Sequence, residues 1–342
     1  MDLVTGGTGL LGSHIVEHLA KAGRAVRALV RCGSDTNWLA SQPVELVTGH
    51  LQDQASLLKA CEGVEVVYHS AAKVGDWGPW KEFEEITIKG TAILLEAACQ
   101  AKVKRFVHIS SISGYGHPDG QNLTLDETAP LGQNLYRWSY YTKSKVAAED
   151  LVHKAHHEQG LPITIIRPSW LFGERDRVTV RRVVKAIQSG SMKIIGDGTN
   201  RLNAIYAGNV AQACLLAAEK DVAIGQAYNV SNNGVITQQE LFDTYAKYLG
   251  CGPVTKHVPF GLAYRAAFIM EVLWKLFHSK KPPLLTRYAA WLMGRKVYFS
   301  IEKAQKELGW EPAVSYEEGI RRTVEWYVGH ETDQSAQAQT AS

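Results

Sequence analysis

The sequence predicts an α/β protein, a doubly wound parallel sheet with a smaller C-terminal α/β lobe. Three observations lead there. A short apolar run, Leu3-Val4, enters Thr5-Gly6-Gly7-Thr8-Gly9-Leu10-Leu11-Gly12 and then a helical pattern at Ile15, Val16 and Leu19. β-rich runs alternate with helical patterns through the first half of the chain, which demands crossover helices on both faces of a parallel sheet. After Pro168 the alternation loosens into shorter apolar pieces interleaved with helices, the mark of a second, smaller lobe.

The strand–turn–helix at the start is the first of these in physical detail. Glycines at 6, 9 and 12 let the chain turn sharply, let backbone N–H groups approach a phosphate, and let the helix close on the strand. The helix N-terminus adds unpaired donors and the positive end of its dipole, so the turn reads as a cradle for a dinucleotide pyrophosphate, with Gly6, Thr8, Gly9, Leu10, Leu11 and Gly12 around it and the sheet Rossmann-like. Further strands are predicted over 25–30, 44–47, 64–68, 105–109 and 163–166, with helices over 54–61, 80–101 and 140–158 between them. Beyond Pro168, β-like pieces at 202–206 and 226–230 alternate with helices at 178–189, 209–219 and 238–249. An apolar, aromatic stretch follows at 260–277, a shorter one at 284–293, then a strand at 297–300 and helices at 301–308 and 316–328. Residues 1–170 are therefore expected to form the dinucleotide-binding domain, with 202–230 returning to it, and 171–201 with 231–328 the substrate lobe. The small, polar stretch 329–342 is expected to be a disordered tail.

Composition narrows the functional classes. Of 342 residues, 45% are hydrophobic and 21% charged, an ordinary globular balance. The net charge of +3 is small and its Lys and Arg are dispersed, which argues against a nucleic-acid partner. Cys32, Cys61, Cys99, Cys214 and Cys251 are odd in number, widely spaced and form no CxxC pair, so free thiols in a cytoplasmic protein are expected, without a metal site. The first strand starts at once, which leaves no signal peptide to expect, and no apolar run reaches the roughly 18 residues of a spanning helix.

A second constellation lies at Tyr141-Thr142-Lys143-Ser144-Lys145. Tyr141 and Lys145 are one helical turn apart and share a face. An ammonium near a phenol stabilises phenolate, so Lys145 is expected to draw the Tyr141 pKa down from its usual value near 10, making it an acid or base for interconverting an alcohol and a ketone. A hydroxyl to hold the reacting oxygen should follow a neighbouring strand. Ser110-Ser111-Ile112-Ser113 supplies three candidates after 105–109.

With the glycine turn, the serine run and YxxxK in that order, the chain resembles the extended short-chain dehydrogenases/reductases. The resemblance implies that Ser111, by its place in Ser-Ser-x-x-x-Tyr-Gly, is the catalytic serine, that Tyr141 transfers the proton, and that Lys145 also holds the nicotinamide ribose. Ser70-Ala71-Ala72 matches the small-residue segment along the cofactor, and Arg167-Pro168 opens a segment that lies over the nicotinamide in the family. His69 before them reads as a buried, hydrogen-bonded residue. The family commonly carries Gly-Asp-Leu-x-Asp, which here is Gly49-His50-Leu51-Gln52-Asp53, so His50 and Leu51 stand at the adenine end. Dehydrogenases that prefer NAD usually end their second strand with an acid for the ribose 2′-hydroxyl. Here Arg31 stands there, a group able to neutralise a 2′-phosphate, so NADP(H) is favoured while NAD(H) stays open.

Segments at 71–78, 195–200 and 298–312 are similar to the 3β-hydroxysteroid dehydrogenase branch, and within it to sterol-4-carboxylate dehydrogenases and 2-alkyl-3-oxoalkanoate reductases. That implies a small apolar substrate, and the tryptophans at 77, 80, 138 and 170 with Phe172 are candidate apolar walls. The expected activity is an NADP(H)-dependent oxidoreduction of a secondary alcohol or ketone on a sterol or a long-chain 3-oxo acid. A nucleotide-sugar epimerase or dehydratase with bound NAD is the second reading. A non-catalytic dinucleotide sensor is the third, disfavoured because both Tyr141 and Lys145 are present. The stretch 260–277 with Lys280 and Lys281 suggests peripheral membrane contact, and members of the family are often homodimers.

Overall fold

A computed structural model describes every residue except Asp119, Gln121, Arg177, Lys280, Ala341 and Ser342, and the side chains up to His330. Seven strands form one fully parallel sheet: β1 (Asp2–Thr5), β2 (Val26–Val30), β3 (Val44–Thr48), β4 (Val66–His69), β5 (Arg105–Ile109), β6 (Ile163–Pro168) and β7 (Gln226–Val230). Their spatial order is β7-β6-β5-β4-β1-β2-β3, with Val4 opposite both Ala28 and Tyr68, Val67 opposite Phe106, and Ile109 opposite Ile166. The order reverses beside β1, and ligands of such sheets bind at the carboxyl ends of the strands where it does so. Strands β1, β4, β5 and β6 are buried at every position, as strands covered on both faces must be, whereas the edge strand β3 is largely exposed.

The crossover helices α1 (Leu10–Lys21), α2 (Gln54–Cys61), α3 (Gly90–Gln100) and α4 (Tyr140–Gln159) bring their apolar stripes onto this sheet. Leu57, Ala60, Leu94 and Val152 pack with Leu3, Val67, Phe106 and Ile163, all essentially without exposure. Each such Leu or Val contributes roughly 1.5–3 kcal/mol by leaving water.

The chain divides into two compact units: Met1–Ser169 with Gly208–Ser231 and Val297–Pro312, and Trp170–Ala207 with Asn232–Lys296 and Ala313–Ser342. Three details differ from the division expected above. Ala204–Tyr206 pairs with Trp170–Phe172 in a two-stranded sheet of the second unit, so of the expected segment 202–230 only the part from Gly208 onward returns to the first. Residues 297–312 belong to the first unit. Val297–Phe299 pairs with Leu123–Leu125, and Trp310, wholly buried, donates its indole N–H to the Asn209 carbonyl at 3.0 Å. The final helix runs from Tyr316 through Thr340, so the backbone of the expected tail is helical to that point, in keeping with its Ala, Glu and Gln content; Ala341 and Ser342 lie outside the described residues.

In the second unit Phe172, Tyr206, Leu241, Phe242, Ile320 and Val324 form the core, with Trp170 packed against it. Trp170 and Phe172, candidate walls of an apolar site, are core packing of this unit. Among the described residues no helix is long and apolar enough to cross a membrane.

Candidate active site and dinucleotide cradle

Gly6 and Gly12 make the glycine turn possible. Gly6 has φ +75°, and a Cβ there would stand 2.9 Å from the Ala71 backbone nitrogen. A Cβ on Gly12 would stand 2.1 Å from the Gly6 carbonyl oxygen, well inside contact. Gly9 caps α1 with no side-chain hydrogen bond, which leaves the first-turn N–H groups, at Leu10 and Leu11, for a ligand. This cradle fits a pyrophosphate: backbone donors converge where no side chain can intrude.

The neighbouring strand ends are tied to it. Thr5 Oγ1 lies 2.8 Å from His69 Nδ1 and accepts from the Ala71 N–H at 3.3 Å, while His69 Nε2 lies 2.9 Å from Thr91 Oγ1. Buried among these partners, His69 is held neutral, its pKa pushed down to about 3 by desolvation and, secondarily, by the Lys145 charge. Ser70, Ala71 and Ala72, half-buried, follow β4 beside the glycine turn. At the far end the Gly49 N–H donates to the Val30 carbonyl at 2.9 Å, so that Arg31 and His50 follow on adjacent strand ends. Both are exposed. Leu51 is buried in the core, with Gly90 close against it, and Thr8 is half-buried in the turn.

Ser111, Tyr141 and Lys145 come together where β5 ends and α4 begins. The Ser111 hydroxyl hydrogen-bonds the Tyr141 phenol. Ser111 Oγ also accepts from the Ser113 N–H at 3.1 Å and so caps the turn Ile112–Tyr115, which fixes the oxygen and leaves its hydrogen to be donated. The two other serines are placed otherwise. Ser110 donates to Glu149 Oε2 at 2.6 Å, and Ser113 is buried, 2% exposed. Pro168 ends β6, buried.

The Lys145 ammonium donates to the Ile109 carbonyl at 2.9 Å. Burial lowers its pKa to about 8, opposed by the negative charge of Glu149. The phenol differs from expectation. Desolvation raises the Tyr141 pKa above its ordinary value and only the Ser111 hydrogen bond opposes it, because in this state Lys145 serves the backbone carbonyl instead of the ring oxygen. Tyr141 is thus a neutral phenol at pH 7.

Sequence reasoning missed Glu149. It lies two turns beyond Tyr141 and one beyond Lys145, on the same face of α4 and without exposure. Its Oε1 accepts from Arg167 Nε at 3.0 Å and from the guanidinium's terminal nitrogen. Arg167 Nη1 in turn donates to the Tyr115 hydroxyl at 2.8 Å, and that hydroxyl donates to Asn229 Oδ1 at 2.8 Å. Burial pushes the Glu149 carboxyl up, but a hydrogen bond from His153, the Arg167 charge and the Arg167 and Ser110 hydrogen bonds together hold it below its usual range. An acid four residues after Lys145 was the available signal.

Residues 3–231 match the model of the NAD dependent epimerase/dehydratase family. The 2-alkyl-3-oxoalkanoate reductase of Stenotrophomonas maltophilia is 32% identical over 94% of this chain and 97% of its own. Mouse sterol-4-alpha-carboxylate 3-dehydrogenase, decarboxylating, is 30% identical over 94% and 89%. The crystal structure of gox2253 superposes with a TM-score of 0.80 at 29% identity, covering 96% of this chain and 98% of that one. The chain belongs to the NAD dependent epimerase/dehydratase family, the extended short-chain dehydrogenase/reductase group of NAD(P)-dependent enzymes.

Proposed function

We propose that the protein reduces a ketone of an apolar substrate, a long-chain 3-oxo acid or a 3-oxo steroid, to the secondary alcohol, with NADP(H) as its cofactor. The observation that carries this reading is the Ser111–Tyr141 hydrogen bond at the carboxyl end of β5, with Tyr141 neutral. A bound nicotinamide dinucleotide supplies the hydride for the carbonyl carbon. The chain's own groups do the rest. Ser111, its oxygen fixed by the Ser113 N–H, donates to the carbonyl oxygen and holds it beside Tyr141. Tyr141, kept protonated by its burial, gives its proton to that oxygen as charge develops there. Lys145 lies one turn along α4 with its ammonium on the Ile109 carbonyl, and would have to leave that carbonyl to steady the phenolate left behind. The Gly6–Gly12 turn and the start of α1 would hold the pyrophosphate, Ser70–Ala72 and Pro168 would flank the nicotinamide half, and Leu51 and His50 the adenine. Arg31, exposed at the end of β2, would pair with the 2′-phosphate.

The activities named for the Stenotrophomonas and mouse relatives support the substrate class. The free thiols suit the reducing cytoplasm. The test is turnover of the purified protein with NADPH and with NADH on a 2-alkyl-3-oxoalkanoate, a 3-oxosteroid and a UDP-sugar. Net oxidation of NADPH by either apolar ketone is the expected result. Conversion of the UDP-sugar with no net change of cofactor would replace this reading with that of an epimerase.

A further inference from the structure

The helix Phe260–Leu276 in the second unit is built inside out. Its buried stripe is Ala263, Ala267 and Glu271, spaced i, i+4 and i+8, and two of the three are among the smallest side chains. Its large apolar side chains face solvent: Leu262 61%, Ile269 57%, Val272 47% and Leu276 67% exposed, continued by Phe277 at 75%. Of the 16 exposed large hydrophobic residues among those described, nine lie between 260 and 284. A helix of 17 residues presents this surface over about 25 Å. So large a contiguous apolar face on a protein in water marks a contact site.

Charge selects the occupant. Residues 260–296 hold seven Lys and Arg and a single acid, Glu271, whereas the rest of the chain holds 30 basic and 33 acidic residues. Glu271 is buried and neutralised: its Oε1 accepts from the Arg287 N–H at 2.7 Å and its Oε2 from Arg287 Nε at 2.8 Å. The exposed charges on this helix and just after it, Arg265, Lys275 and Lys281, therefore all have one sign. A second copy of the same face would bring like charges together. An anionic bilayer surface matches both features, because the acyl boundary receives the side chains of Leu262, Ile269, Leu273 and Leu276, and long basic side chains reach up to lipid phosphates.

We propose that this helix is a peripheral docking surface for anionic lipid bilayers, lying in the plane of the interface. The test is co-sedimentation of the full chain with vesicles of phosphatidylcholine alone and with about 30 mol% phosphatidylglycerol, at low and at high salt. Partitioning onto the anionic vesicles at low salt, stronger by roughly tenfold or more than onto neutral ones and weakened by salt, is the expected result. The variant Ile269→Ser/Leu273→Ser/Leu276→Gln should lose that partitioning at least tenfold with its circular dichroism unchanged. A second variant, Lys275→Glu/Lys281→Glu, should lose the preference for anionic lipid. Absence of wild-type binding, or equal binding to neutral vesicles, would overturn the proposal. So would a dimer in light scattering that the triple variant abolishes while neither protein sediments with lipid, since a second copy would then cover the face.

Discussion

Replacing Glu149 by Gln keeps the shape of the buried network beneath Tyr141 and Lys145 and removes the carboxylate bonded to Arg167. Glu149 has no exposure, and its carboxylate meets the Arg167 guanidinium through Oε1 and the Ser110 hydroxyl through Oε2. A glutamine amide can accept one of these bonds and must turn its NH2 toward the other. The guanidinium, 4% exposed, would lose the carboxylate it is bonded to. Breaking a buried pair in this way costs about 3–5 kcal/mol. The same charge helps hold the Lys145 pKa up at about 8 against desolvation, so its loss lowers that pKa further. If the ammonium form of Lys145 is needed, the alkaline limb of the pH–rate profile must move to lower pH in the variant. Urea unfolding at pH 7 measures the first effect, and kcat/KM between pH 6 and 9 measures the second. A stability within about 1 kcal/mol of the parent, or a destabilised variant whose alkaline limb has not moved, would refute this account of Glu149 as the buried partner of Arg167 whose charge supports the Lys145 ammonium.

Three further outcomes follow from the same geometry. Gly12→Ala places a methyl 2.1 Å from the Gly6 carbonyl oxygen, so the turn must open, and dinucleotide binding measured by fluorescence titration should fall at least a hundredfold; near-normal affinity would contradict the cradle. Arg31→Ala should weaken NADPH binding by about 1.5–3 kcal/mol, the worth of a charge-assisted hydrogen bond, and leave NADH unchanged, while an equal loss for both would remove Arg31 from the 2′-phosphate. His69 has its pKa near 3 in the folded protein and an ordinary value of 6.5 unfolded, so the unfolded chain binds the extra proton between those values and stability falls as pH drops through that window. Its share of the loss from pH 6.5 to pH 5 is about 2 kcal/mol, which urea melts of the parent and of His69→Gln separate. A parent as stable at pH 5 as at pH 6.5 would show that His69 is not buried neutral.

The parallel sheet was legible because short β-rich runs with apolar centres, Leu3-Val4 in β1 and Ile165-Ile166 in β6, alternate with helical patterns, and because Gly6 and Gly12 have no substitute at their contacts. What escaped the sequence depends on partners distant along the chain. Glu149 looks like a surface charge, and Arg167 like no more than the start of a cofactor segment, until α4 is laid on β6 and each satisfies the other. Choosing among Ser110, Ser111 and Ser113 requires knowing which hydroxyl Glu149 takes. Trp310 and the strand Val297–Phe299, read as marks of a substrate lobe, serve the first unit through Asn209 and Leu123–Leu125. Local pattern cannot reveal such returns, since both ends of the contact look ordinary. The Tyr141 pKa is the instructive error: helical spacing to Lys145 was right, but the ammonium found the Ile109 carbonyl, and burial set the phenol.

In the proposed reaction Tyr141 delivers the proton. Tyr141→Phe removes one oxygen and leaves the aromatic ring, the Ser111 turn and the glycine cradle in place. Single-turnover reduction of an apolar ketone by this variant with NADPH, alongside titration of NADPH binding, tests the claim directly. The rate should fall by about 10²–10⁴-fold, the contribution of a positioned general acid, with NADPH affinity unchanged. Turnover within a few-fold of the parent would contradict it.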